Sequence, residues 1–98
     1  MIYTIDQIKE AVVRPLVSIG VTRIGLFGSY AKGVATEESD IDLLVLNPDE
    51  FDFLDYMDLR ESLQEKMGKK IDYIEYRCIS KYLEPEILST EVLLYDKG

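Results

Sequence analysis

Two aspartates separated by one residue, Asp40 and Asp42, flank Ile41 in the run Ser39-Asp-Ile-Asp-Leu-Leu-Val-Leu46. Strand side chains alternate between faces, so both carboxylates share one face while Ile41, Leu43 and Val45 share the other. Their Cα atoms then lie about 6.5 Å apart, within reach of a common cation. A third carboxylate, Asp72, sits in Lys69-Lys-Ile-Asp-Tyr-Ile74 with Ile71 and Tyr73 on the opposite face. If the two strands are neighbours, about 4.8 Å apart, Asp72 joins the same cluster. Three carboxylates about 5 Å apart repel by roughly 3 kcal/mol per pair at an effective dielectric near 20. Such a cluster calls for a cation or a proton. An all-carboxylate site suits a hard divalent ion, Mg²⁺ above all, which usually brings substrate phosphates with it. The plainer reading of the same residues is structural: Asp opens many turns, and Asp72 has Lys69 and Lys70 beside it for a surface ion pair.

Gly28-Ser29 stands at the end of a β-rich run, Val21 to Phe27, and opens a possible helical turn. Backbone N–H groups at such a terminus point outward and hold phosphate, and Ser29 adds a hydroxyl donor. Alone, a Gly-Ser pair is more often simply a turn. It is not a P-loop: Gly28 and Gly33 have the right separation, but Val34-Ala35 follows where Lys-Ser/Thr is required, and there is no GxGxxG.

The elements that must position these groups follow from periodicity. Thr4 and Gln7 have capping-box spacing, and Ile5, Ile8, Val12, Leu16 and Ile19 step by three or four, which predicts a helix that ends near Gly20. Pro15 predicts a kink in it, or a break with a second short helix starting there. Val21–Phe27 is read as a strand, Ser29–Lys32 as one helical turn stopped by Gly33, residues 34–39 as a loop, and Asp40–Leu46 as a second strand. After the turn Asn47-Pro48-Asp49 a helix runs to Met67, with Leu54, Met57, Leu63 and Met67 facing the core and Gly68 as its stop. The acidic run Asp49–Asp58 suits the start of that helix, and no site is assigned to it. Lys70–Tyr76 is a third strand, Ser80–Leu88 a short helix and Val92–Tyr95 an edge strand. The alternating order predicts an α/β sheet with helices packed against it, in one domain spanning residues 1–98.

Composition narrows the chemistry further. The 98 residues contain no histidine, which excludes Ser-His-Asp and Cys-His nucleophile pairs, HExxH metalloproteases and histidine-ligated zinc. A single cysteine, Cys78, has no internal disulfide partner and no basic activator; it reads as a small buried or rim residue. Most of the seven tyrosines read as core or rim packing, and Lys69-Lys70 as a rim charge near the phosphates. The 11 cationic and 19 acidic side chains leave a net charge of −8, which repels a polynucleotide backbone; a small nucleotide carried in with metal remains compatible. No apolar run approaches the roughly 20 residues of a membrane span, and the N-terminus has no basic and apolar signal segment, so the expected location is the cytoplasm.

Gly28-Ser29, ten residues from Tyr30 to Ser39, then Asp40-Ile41-Asp42 form a GSx₁₀DxD pattern. With the local text Leu26–Gly33 and Ser39–Val45, the helix ending Met67-Gly68 and the Lys70-Ile-Asp-Tyr strand, the chain resembles the minimal nucleotidyltransferases of the DNA polymerase β superfamily over nearly its whole length. The resemblance implies an α+β fold with a mixed sheet of about four strands, ATP as substrate with two Mg²⁺ ions, and transfer of a nucleoside monophosphate to a hydroxyl. It implies that Asp40 and Asp42 hold the metal ions against the triphosphate. Asp72 would ligate the ion nearest the acceptor and help remove its proton, while Gly28 and Ser29 hold the distal phosphates. Stand-alone members of this size are mostly antitoxins of HEPN/MNT pairs, so the implied partner is a HEPN ribonuclease toxin, modified with AMP on a tyrosine. Two alternatives share the fold: a binding-only antitoxin acting by occlusion, and transfer to a small hydroxylated molecule. Lys32 departs from the arginine many relatives carry and loses the planar fork, which weakens any phosphate role for it. The acceptor-binding domain of larger relatives is absent from this sequence, which shifts the acceptor towards a partner surface.

Overall fold

The computed structural model describes residues 1–98. Its elements are α1 (Ile5–Ser18), β1 (Arg23–Phe27), α2 (Gly28–Lys32), β2 (Ile41–Leu46), α3 (Phe53–Met67), β3 (Ile71–Glu75), a 3₁₀ turn (Tyr76–Cys78), α4 (Glu84–Thr90) and β4 (Val92–Asp96). The four strands form one mixed sheet in the order β3-β2-β1-β4. β1 is antiparallel to both β2 and β4, and β2 is parallel to β3. This is the α+β mixed sheet expected from the sequence, and Val92–Asp96 is the edge strand.

The period-two pattern of the strands decides the two faces. Ile24 and Leu26 of β1, Ile41, Leu43 and Val45 of β2, and Ile71 of β3 are buried in one cluster with Ile8, Val12 and Leu16 of α1 and Tyr56, Leu63 and Met67 of α3. Burying side chains of this size contributes about 1.5–3 kcal/mol each. The opposite face carries Asp42 and Asp72. Leu44 lies on that face too; it is fully buried but outside the main cluster, on the side where β2 meets the 3₁₀ turn.

Two sequence expectations need correction. Of the two readings of Pro15, the break with a second short helix does not occur: one helix runs from Ile5 to Ser18 with the proline inside it. The residues flanking the proline explain why. Val12 and Leu16 are both fully buried, and their burial offsets the roughly 3 kcal/mol that an interior proline costs. The capping box at Thr4 and Gln7 is formed as read. Leu54 does not face the core: it is 72% exposed, and Tyr56 takes the inward place. The cause is the helix start. Asp52 caps it by accepting from the amides of Leu54 and Asp55, so the inward stripe runs Tyr56, Leu63, Met67 and Leu54 falls off it. Of the two readings of Cys78, the rim one holds, since its side chain is exposed at the edge of a surface groove.

Candidate active site

β1 delivers the chain to Gly28 at the point where it pairs with the start of β2, since Phe27 lies opposite Asp42. Gly28 has a φ of +75°, a left-handed conformation that side chains rarely adopt, and a Cβ there would run into the Asp42 carboxylate. The glycine is therefore required twice, by backbone conformation and by the close approach of turn and carboxylate. α2 starts at Gly28 with no side-chain cap on its N-terminal amides. They remain available as donors beside Ser29.

β2 and β3 run parallel with Asp42 directly opposite Asp72. Asp40 lies one residue before β2 rather than within it, exposed to solvent. The three carboxylates act on one another. Partial burial, then the charges of Asp72 and Asp40 and a hydrogen bond that favours its protonated form, push the Asp42 carboxyl up from 3.8 to about 6; Lys70 opposes this. Lys70 Nζ stands 3.7 Å from Asp72 Oδ1, so the surface pair anticipated as the plain reading is present; with both side chains well exposed it contributes little. Asp40, Asp42 and Asp72 are not drawn onto a single point: no three acidic or cysteine side chains are gathered tightly enough to enclose an ion. The donor set is all oxygen and the middle carboxyl is under strain, so these residues fit a hard divalent ion.

The segment between the two halves of the motif is held by a residue whose role the sequence left vague. Lys69 Nζ donates to the carbonyls of Glu37 at 2.7 Å and Ser39 at 3.3 Å, and lies 5.8 Å from the Tyr30 ring centroid. One ammonium thus ties the approach to Asp40 to the residue after Ser29. Within the loop, the Ser39 hydroxyl accepts from Thr36 N at 2.8 Å. The only sequence signal for this clamp was Lys69 preceding β3.

A second group escaped the sequence reading altogether. Over Gly25 on the same sheet face, Tyr76 donates its hydroxyl to Glu91, and Arg23 pairs with Glu91 at 3.4 Å while its guanidinium covers the Tyr76 ring at 5.1 Å. A Cβ at Gly25 would strike both Glu91 and Tyr76. The cluster fastens the end of α4 to β1 and walls one side of the face that carries Asp42. These three residues are far apart in sequence, and no local pattern announces them.

A mixed sheet in this order, with paired carboxylates beside a glycine turn, is the arrangement to compare with known nucleotide-transferring proteins. The chain belongs to the polymerase beta nucleotidyltransferase family, whose model matches residues 15–98. A Methanocaldococcus jannaschii relative bearing the name protein adenylyltransferase is 38% identical over 88 residues, covering 90% of this chain and 95% of its own length. A second relative of that name from the same organism is 43% identical over 82 residues, 76% of each chain. Among solved structures, a minimal nucleotidyltransferase superposes with a TM-score of 0.76 at 31% identity over 89% of both chains. A toxin–antitoxin complex with AMP-PNP gives 0.76 at 26% identity, over 90% of this chain and 73% of that one. The chain is accordingly an enzyme of the nucleotidyltransferase class.

Proposed function

We propose that the protein transfers AMP from ATP to a tyrosine hydroxyl of a HEPN ribonuclease, as the antitoxin of a toxin–antitoxin pair working in the cytoplasm. The observation that carries this is the Asp42–Asp72 pairing across parallel strands with Gly28 pressed against Asp42. It brings the Gly28-Ser29 turn and the carboxylate set to one end of one sheet face. The relatives named protein adenylyltransferase and the toxin–antitoxin complex holding an ATP analogue support both donor and partner.

In this reading the acceptor oxygen attacks the α-phosphorus of ATP. A new O–P bond forms, the bond from that phosphorus to the bridging oxygen breaks, and pyrophosphate leaves. Gly28 and Ser29 present amide and hydroxyl donors to the distal phosphates, so the leaving group departs from a fixed position. Asp72, on the outer strand, faces the incoming acceptor and takes its proton. Asp40, Asp42 and Asp72 would hold Mg²⁺, two ions in the full site, which supplies charge neutralisation to the triphosphate and the attacking oxygen. Asp42, pushed up to about 6 in the metal-free chain, must lose its proton before it can hold a cation, so metal binding weakens as pH falls.

The test is incubation of the chain with Mg²⁺, ATP and the HEPN protein encoded beside it. The expected result is one or more AMP masses on the partner and loss of its RNase activity. The double variant Asp40→Asn, Asp42→Asn should still bind the partner but stop the mass shift. Full neutralisation by that variant would leave occlusion as the mechanism. Labelling of a small hydroxylated molecule in place of the partner would overturn the antitoxin reading and leave nucleotidyl transfer standing.

A further inference from the structure

The outer edge of the sheet beside Asp72 carries a feature that the transfer chemistry leaves unused. β3 is the terminal strand on that side, and a shallow groove of about 580 Å³ lies along it, lined among others by Phe51, Phe53, Tyr56, Tyr73, Ile74 and Arg77. Its floor is fixed: the Tyr56 and Tyr73 rings stand 4.8 Å apart, centroid to centroid. Phe51 and Phe53 lean on Tyr56 at 5.6 and 6.5 Å, yet they remain 42% and 60% exposed, with Leu54 beside them at 72%. Three large apolar side chains are thus held out in water at one helix start, a grouping that marks an interaction surface more often than a monomer's ordinary exterior.

The rim states what kind of partner fits. Residues 49–58 include Asp49, Glu50, Asp52, Asp55 and Asp58 and no cation. Arg77, on the far rim, is already engaged by Glu75 at 3.0 Å and Asp49 at 3.5 Å. A nucleotide or RNA is repelled by this rim. A second copy of the chain would set the same acidic rim against itself in a two-fold contact. A different protein that offers apolar side chains flanked by Lys or Arg meets both the aromatic floor and the charge.

We infer that the acceptor protein docks here, seating a cationic segment with apolar anchors in the groove between the start of α3 and the β3 edge. This rests on the proposed transfer to a protein. Tyr73 and Ile74 line the groove and directly follow Asp72, at about 3.3 Å per residue. A partner seated there brings its neighbouring surface to the carboxylate that receives the acceptor proton. Docking thereby selects which hydroxyl is modified.

The test uses the full chain and the HEPN protein co-expressed from the adjoining reading frame. Phe53→Ser with Leu54→Ser alters only exposed side chains, and Glu50→Lys with Asp58→Lys reverses rim charge; circular dichroism melting and ATP titration check that fold and nucleotide site are unchanged. Both pairs are expected to weaken complex formation at least tenfold and to cut AMP transfer at subsaturating partner by a like factor, with ATP affinity unmoved. Wild-type binding should weaken with added salt, and binding by the charge pair less so. If both variants bind and modify the partner as wild type does, the docking site is wrong and the transfer reading survives. If the wild-type chain neither binds nor modifies that protein, the transfer reading fails and the docking inference falls with it. A dimer of the free chain that Phe53→Ser with Leu54→Ser dissolves would assign the groove to a second copy instead.

Discussion

Replacing Asp42 by Asn should raise the melting temperature of the metal-free protein at pH 8 and do little at pH 4. The carboxyl is pushed up from 3.8 to about 6 by partial burial and by Asp72 and Asp40. The folded state therefore holds this proton more tightly than the unfolded chain does. That contribution to stability is fully present below about pH 3.8 and is lost as pH rises through about 6. At about 1.4 kcal/mol per pH unit the ceiling is about 3 kcal/mol. Asp42 is only partly buried, so water screens the repulsion, and roughly half of that, about 1.5 kcal/mol, is the working figure. Asn keeps the shape, removes the charge and can donate to Asp72. For a chain this long, 1 kcal/mol shifts the melting temperature by roughly 4–8 °C, so the variant should gain about 6–12 °C at pH 8 in chelator. The gain should shrink to a few degrees at pH 4, where wild-type Asp42 is already protonated. Scanning calorimetry on both proteins across that range gives the answer. Mg²⁺ should stabilise wild type and not the variant, because only a ligand bound by the folded state shifts the transition. Equal gains at both pH values, or a loss at pH 8, would refute the argument from carboxylate repulsion.

Three further substitutions have definite expected outcomes. Lys69→Met keeps the stem but removes the ammonium from the carbonyls of Glu37 and Ser39; it should cost about 1–2 kcal/mol, speed amide exchange over residues 36–41 and slow AMP transfer, with partial rescue by Lys69→Arg. Gly28→Ala forces a Cβ into the Asp42 carboxylate at positive φ; urea unfolding should show a loss of about 1–3 kcal/mol, and ATP binding should fall with it. Pro15→Ala supplies the missing helix amide in α1 and should stabilise the protein by about 1–3 kcal/mol without changing transfer, measured by the same two assays.

The parts of the site written in the sequence were those set by spacing of two. Asp42 and Ile41 could be assigned to opposite faces because a strand permits only that, and Asp72 could be set on the face opposite Ile71 and Tyr73 by the same rule. What spacing alone left open was strand order and direction; the parallel β2–β3 pairing sets Asp42 against Asp72, and it depends on α3 crossing over between them. Asp40 was read as part of the strand because the alternation continues through it, whereas the ladder begins one residue later, where Ile41 N bonds to Lys70 O. The break offered as one reading of Pro15 did not occur, because local propensity was weighed without the burial of Val12 and Leu16 on either side of it. The Lys69 clamp and the Arg23–Tyr76–Glu91 group are products of tertiary approach, bridging 30 or more residues between Lys69 and the loop it holds and 68 between Arg23 and Glu91. The acidic run after Asp49 was rightly placed at a helix start, but the groove it borders exists only once α3 lies along β3.

The central claim is that the glycine turn and the three carboxylates form one site for a metal-bound triphosphate. Calorimetric titration of a non-hydrolysable ATP analogue tests it directly, on wild type and on Asp42→Asn, with Mg²⁺ and with chelator. Wild type should bind at least tenfold more tightly with Mg²⁺ than with chelator, and Asp42→Asn should lose that difference. Equal affinity with and without chelator in the wild-type chain would contradict it.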